Sequence, residues 1–317
     1  MRGLIRIGLG TALLGAAFVG TVAAWPIATP ARLGMLTGDV ERGAYLARSS
    51  GCVTCHTNVA ADGAALAGGA PLETPFGDFV PPNITFDPDA GIGDWSLDEF
   101  AVALRQGINP DGEAYYPAFP YEFYAEFTDQ DIADLWAAMA TVPTVDVAAA
   151  PHDVGFPFNQ RWGLKLWRAA FMAPVEMSPV IGRSSVWNRG QQLVEGAAHC
   201  AACHTSRNFL GGLSDTPFTG NDRLPGGSVA PDITPEALSA AGWTAPGLTY
   251  ALRTGITPTG DVFGGSMAEV VAEGTSFLSD SDRDAIAAYL TNEADPADAP
   301  APSADGVVVH SPDMVMD

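Results

Sequence analysis

Lysine is almost missing from this chain. Lys165 is the single lysine among 15 basic residues, which face 37 acidic ones, and the formal net charge is −22. Nucleic-acid binding is excluded by that balance, because it depends on Lys and Arg replacing the counterions of phosphate. The same field would favour a protein partner with a basic docking face, although acidity also serves solubility or salt tolerance. Cysteine is scarce as well, with four in 317 residues. Cys52 and Cys55 form one close pair, Cys200 and Cys203 another, each with two residues between its members. A disulfide framework spreads its cysteines along the chain; this spacing suggests a metal, a dithiol or a haem.

Long hydrophobic runs are limited to one. Arg2 and Arg6 precede an uncharged stretch from Ile7 to Ala31, apolar as far as Ala24. Positive residues followed by an apolar run are the order of an export signal. Val22-Ala23-Ala24 offers small residues for cleavage, and the run is also long enough to remain as a membrane anchor. Residues 1–31 are therefore read as a signal peptide or anchor, with the anchor favoured. The rest of the chain is expected on the periplasmic side of the cytoplasmic membrane, and no second run of that length follows.

What the chain does have is an internal repeat. Cys52-Val-Thr-Cys-His56-Thr57 returns 148 positions on as Cys200-Ala-Ala-Cys-His204-Thr205. The same offset carries Trp95 to Trp243, Arg105 to Arg253, Gly107 to Gly255, Pro110 to Pro258 and Gly112 to Gly260. Register held over that length means two copies of one unit. In each copy the pattern predicts a short helix before the cysteine pair, Val40 to Ser49 and Ser185 to Glu195. A Gly- and Pro-rich loop follows, ending at Asn83-Ile84-Thr85 or Asp232-Ile233-Thr234. A middle helix then opens at Ser96, with Glu99 completing a capping box, or spans Leu248 to Thr254. Last helices are announced by Thr128 with Asp131 and by Ser279 with Asp282.

The expected fold class is all-α with little or no sheet: two tandem domains at 36–147 and 184–294. Residues 148–183 join them, and the stretch from Val142 to Gly182 is too rich in proline and aromatics for a free linker. Residues 295–317, rich in Ala, Asp and Pro, read as a disordered acidic tail.

Cys-x-x-Cys-His is the attachment signature of c-type haem. Two thiols add across the two vinyl groups, and the adjoining histidine lies below the iron as its axial ligand. Two covalently bound haems are expected, on Cys52, Cys55 and His56 and on Cys200, Cys203 and His204. A thioredoxin-like dithiol wants a βαβ context, which the helices argue against. A zinc site wants its two pairs roughly 15 to 20 residues apart, far closer than these.

The sixth ligands differ. In the second copy Met267 is the candidate, in a glycine-flanked segment read as a loop. Its counterpart in the first copy is Phe119, which has no lone pair, and residues 115–127 contain neither Met nor His. Tyr115, Tyr116, Tyr121, Tyr124, Met139, His152, Met172 and Met177 remain as alternatives, with Met139 better read as core because it matches Leu290. His199 reads as a surface or packing residue. Arg105 and Arg253 are candidates to pair with haem propionates, Arg207 and Arg42 weaker ones; helix-surface arginines are the bland alternative.

Four segments carry a family resemblance: Arg42-Gly-Ala-Tyr-Leu-Ala47, Gly91-Ile-Gly-Asp-Trp95-Ser96, Tyr116-Pro-Ala-Phe-Pro-Tyr121 and Gly264-Gly-Ser-Met-Ala-Glu269. With them the chain resembles the bacterial cytochrome c subunits of membrane-bound alcohol and sugar dehydrogenases, and most of all their two-haem relatives. The resemblance implies cytochrome c domains. It also implies single-electron transfer from a dehydrogenase, whose catalytic subunit would be a partner, toward a respiratory-chain acceptor. The dehydrogenase subunits carry three haems, where this chain has two pentapeptides. They often have Met at the place of Phe119, and two-haem relatives with Phe there tend to have Met where this chain has Phe127. The leading expectation is an electron carrier with no substrate of its own. The alternative is a haem enzyme, peroxidase-like or acting on a small ligand, at an open first haem.

Overall fold

The structure is a computed structural model that describes residues 14–172 and 177–292. The tail expected at 295–317 lies outside the described residues, as does the start of the expected signal or anchor segment. Residues 14–24 are helical. Among the described residues no helix is long and apolar enough to cross a membrane.

The longer helices after residue 31 are α1 (Val40–Ser49), α2 (Leu97–Gln106), α3 (Asp129–Met139), α4 (Trp162–Phe171), α5 (Ser185–Gln191), α6 (Ala245–Thr254), α7 (Gly265–Glu273) and α8 (Asp280–Leu290). Their ends follow from local chemistry. Ser96 and Glu99 exchange side-chain and backbone hydrogen bonds as a capping box at α2, and Thr128 and Asp131 do so at α3. The Ser279 hydroxyl accepts from the Asp282 amide at α8, at 3.1 Å. Gly107 and Gly255 stop α2 and α6 at φ 61° and 76°, a left-handed turn that a side chain disfavours. The helix expected at Ser185 to Glu195 keeps α form only to Gln191 and then widens into a π-turn over Gln192–Ala197.

Two crossings organise the helices. α1 lies against α3, and α5 lies against α8. A Cβ on Gly43 would stand 1.8 Å from the Asp134 carbonyl oxygen, and one on Gly190 would stand 2.0 Å from that of Ala285. Neither helix pair could approach so closely with any side chain at those positions. One core gathers Leu66, Ile132, Leu135 and Met139; the other gathers Leu193, Val194, Ile286 and Leu290.

The halves interlock. Ala201, Ala202 and Phe218 pack into the first core, and Tyr45 packs into the second. The Tyr45 hydroxyl donates to Asp282 at 2.5 Å, and Arg189 donates to both oxygens of that carboxylate at 2.8 Å. Nearby, Arg48 pairs with Glu273 at 3.2 Å and lies over the Phe277 ring. Burial pushes the Asp282 carboxyl up, but the hydrogen bonds and charge of Arg189 and the Tyr45 hydroxyl outweigh it and hold it below the ordinary carboxylate range. Burial, then the charge of Asp282, pushes Tyr45 up to about 12.

One element departs from the all-α expectation. Strands β1 (Leu72–Thr74), β2 (Gly77–Phe79) and β3 (Asp153–Val154) form a small antiparallel sheet in that order. The loop after the first cysteine pair turns back on itself at Thr74, whose hydroxyl donates to the Gly77 carbonyl and accepts from the Phe76 amide. Gly77 then pairs with Val154 from the connecting segment. That segment is anchored further along. Arg161 donates to the Ala114 carbonyl, Trp167 donates to the Leu210 carbonyl, and Leu164 is buried.

Two outcomes follow for stability. Gly43→Ala is expected to cost about 1–3 kcal/mol through overpacking, read as a lower urea midpoint, whereas Gly155→Ala, with open space around it, is expected to cost far less. The depressed Asp282 carboxyl contributes stability above its unfolded value of about 4, lost as pH falls through its lower folded value. Asp282→Asn is expected to begin less stable at neutral pH and to lose less on acidification; an acid limb with unchanged slope would contradict this.

Candidate haem sites

Each pentapeptide lies on a short helical turn, Cys52–His56 or Ala201–His204, and the loop that follows closes over its histidine in the same way. The carbonyl of His56 accepts from the Gly68 amide, and that of His204 from the Gly220 amide, both at 2.9 Å. The Thr57 hydroxyl accepts from the Leu66 amide at 3.2 Å, and the Thr205 hydroxyl from the Phe218 amide at 3.1 Å. Leu66 and Phe218 both adopt positive φ, 58° and 66°.

The rings are then fixed. His56 Nδ1 lies 2.7 Å from the Pro82 carbonyl oxygen, and His204 Nδ1 lies 2.8 Å from that of Pro231. A carbonyl only accepts, so Nδ1 carries the proton and Nε2 keeps its lone pair for a metal. Burial lowers the pKa of both histidines, which keeps them neutral. The sequence held this signal unread: both prolines immediately precede the matched Asn83-Ile-Thr and Asp232-Ile-Thr strings.

The four cysteines are free and half-buried. Burial pushes Cys52 and Cys200 up to about 12, and burial, then Cys203 and Glu269, push Cys55 up to about 11. Among the described residues no group of three or more His, Cys, Asp or Glu is disposed to hold a metal ion. A neutral Nε2 beside two free thiols is the donor set that haem c requires, and the residues present fit that group.

Met267 packs against the second core, as Cys200, Ile233 and Trp243 do, and Phe119 against the first, as Cys52, Ile84 and Trp95 do. The two occupy like environments, as the repeat anticipates. One detail differs: Met267 stands in the first turn of α7, where a loop was expected, because Met267-Ala-Glu-Val-Val-Ala-Glu273 is a run that sustains a helix once Gly264 opens it. Most of the other candidates for the first site have partners of their own, while Tyr115 lies against Phe119. Met139 is buried in the core. The Tyr121 hydroxyl donates to the Met172 sulfur at 3.0 Å, and the Tyr116 hydroxyl to the Phe158 carbonyl at 3.1 Å. Tyr115 meets Phe119 edge-on, Met177 packs against Gly196, and His152 Nδ1 accepts from the Val80 amide.

Every arginine nominated from sequence has a protein partner. Arg105 donates to the Phe127 carbonyl and Asp129; Arg253 lies 3.8 Å from Asp280. Arg42 joins Asp131 and Asp134. Arg207 donates to the carbonyls of Gly211 and Ala202.

Sequence reasoning missed the contact between the two attachment segments. The Ser50 carbonyl accepts from the Tyr124 hydroxyl at 2.6 Å and from His199 Nε2 at 3.2 Å. The His199 ring also meets Phe123 and Tyr124. Residues just before each cysteine pair therefore touch, and His199 is a packing residue of that contact. Thr205→Val is expected to cost about 1–3 kcal/mol, because it strands the Phe218 amide without an acceptor. A chemical denaturation midpoint equal to that of the unaltered protein would contradict the loop's dependence on that hydroxyl.

Comparison with known proteins points the same way. The sequence model of the cytochrome c family matches residues 187–293. A diheme cytochrome c-type of Cereibacter sphaeroides is 41% identical over 304 residues, covering 92% of this chain and 98% of that protein. The fructose dehydrogenase cytochrome subunit of Gluconobacter japonicus is 38% identical over 257 residues, 80% of this chain and 52% of that protein. The cytochrome c subunit of a quinone alcohol dehydrogenase from Gluconobacter oxydans is 38% identical over 264 residues, 79% and 54%. The chain thus spans about half the length of those two dehydrogenase subunits and nearly all of the diheme relative. With the attachment turns, the oriented histidines and this relatedness together, the chain belongs to the cytochrome c family of haem c electron-transfer proteins.

Proposed function

We propose that the chain is a dihaem cytochrome c that passes single electrons from a dehydrogenase to a respiratory-chain acceptor on the periplasmic side of the membrane. The observation that carries this reading is the repeated frame, in which both histidines are oriented by a proline carbonyl beside two free thiols. Haem c, when bound, supplies an iron that takes up and releases one electron at a time. Cys52, Cys55 and His56 hold one group, and Cys200, Cys203, His204 and Met267 hold the other. Domain one is taken as 36–147 and domain two as 184–294, with 148–183 between them and 1–31 as the membrane anchor. The kinship to dehydrogenase cytochrome subunits supports a dehydrogenase catalytic subunit as the donor, and the net charge of −22 supports a basic face on its partners.

The two sites are unequal. Met267 raises the potential of the second haem, because thioether ligation favours reduced iron. Phe119 offers the first haem nothing, and that haem lies lower. Arg105 and Arg253, at matched positions, are assigned to the propionate edges through the donors their present pairings leave free. A ligand-binding role at the first haem is the second reading, favoured by Phe119 alone.

A potentiometric titration tests this. Two one-electron waves are expected, and Met267→Ala is expected to lower one of them while leaving the other in place. A single wave of identical sites, or two waves that Met267→Ala moves together, would overturn the assignment.

A further inference from the structure

α4 brings the guanidinium of Arg168 over Tyr121, in the segment that follows Phe119. Among the described residues, Arg168 Nη1 is buried without a hydrogen-bond acceptor, and the guanidinium faces the Tyr121 side chain. Its Cζ lies over the Tyr121 ring, 4.9 Å from the centroid. Arg207 approaches from the other half, anchored by its bonds to Gly211 and Ala202. Glu122 lies within the field of both arginines without an ion pair to either, and its carboxyl is pushed up by burial. A guanidinium is charged at every accessible pH, and a buried N–H without an acceptor is costly. Arg161, on the same segment, is satisfied by the Ala114 carbonyl, so the segment is not short of acceptors in general. Glu122 lies in the field of this guanidinium, but among the described residues nothing accepts from Nη1, and a further carboxylate would satisfy it. Haem c brings two propionates.

We propose that Arg168 holds a propionate of the first haem, which makes the connecting helix part of that haem's site; this rests on the dihaem reading above. The first haem is chosen because Tyr121, beneath the guanidinium, contacts Phe119, and Phe119 and Cys52 both pack against the core of the first half. A cation at the propionate edge favours the reduced iron, which carries one positive charge fewer. Arg168 is thus a positioning and tuning residue and not a catalytic one. Arg105 and Arg253 each pair with an aspartate and reach a propionate only through their remaining donors, whereas Arg168 forms no ion pair among the described residues.

The test uses the full holoprotein and reads potentials. Haem content is measured first, by the pyridine haemochrome spectrum and intact mass; fewer than two haems per chain would overturn the dihaem reading and this inference with it. With two haems present, Arg168→Met is expected to lower one potential about tenfold in the reduction equilibrium, about 59 mV for one electron. The wave that moves is expected to be the one that Met267→Ala leaves in place. Arg168→Lys is expected to keep most of the potential. Arg168→Gln, closer in shape, replaces Arg168→Met if that variant does not accumulate, with the same downward shift expected. Two potentials unchanged in a folded, fully haem-loaded variant, or a shift confined to the other wave, would overturn the inference and leave the dihaem reading standing.

Discussion

A hydrogen bond from an imidazole to a proline carbonyl is the constraint around which each half is built. It sets which ring nitrogen carries the proton, and so which one faces outward with a lone pair. For that bond to form, the loop after the cysteine pair must return to the histidine. The threonine hydroxyl, the glycine amide and the left-handed residue at Leu66 or Phe218 bring it back. Behind the loop, the crossing of the outer helices fixes the wall against which it rests, and Gly43 and Gly190 set how near that wall can come. Ligand orientation, loop closure and helix packing are thus successive layers of one arrangement, used twice.

Duplication gives sameness, and the differences between the copies then carry the function. Phe119 and Met267 occupy like places with unlike chemistry, one a hydrocarbon ring and the other a thioether. A carrier with two identical sites would have no internal gradient. On the proposed reading, unequal ligation would give electrons a direction, and the attachment segments touch at Ser50 and His199. Among the described residues the asymmetry extends to the small sheet, which pairs two strands of the first half with one of the connecting segment.

Much of this was legible in the sequence because its determinants are local. The pentapeptides, the 148-residue offset and the capping residues at Ser96, Thr128 and Ser279 all act within a few positions of themselves. Helix boundaries followed. What stayed hidden depends on residues far apart in the chain: Tyr45 with Asp282, Ser50 with His199, Glu122 with Arg168 and Arg207. No periodicity announces such pairs. The sheet was missed for a related reason. Its strands are two or three residues long, too short to show alternation, and β3 comes from a segment read as a connection. The π-turn after α5 and the helical setting of Met267 show that a helix edge is decided by packing as well as by composition.

The central claim is that one site is closed by a thioether and the other is not. An optical spectrum of the fully reduced protein, with and without carbon monoxide, tests it most directly. The account predicts that roughly half of the haem absorbance shifts, since carbon monoxide takes the position opposite His56 and is refused where Met267 is bound. A spectrum in which neither haem responds would mean that another side chain closes the first site, and would contradict the account.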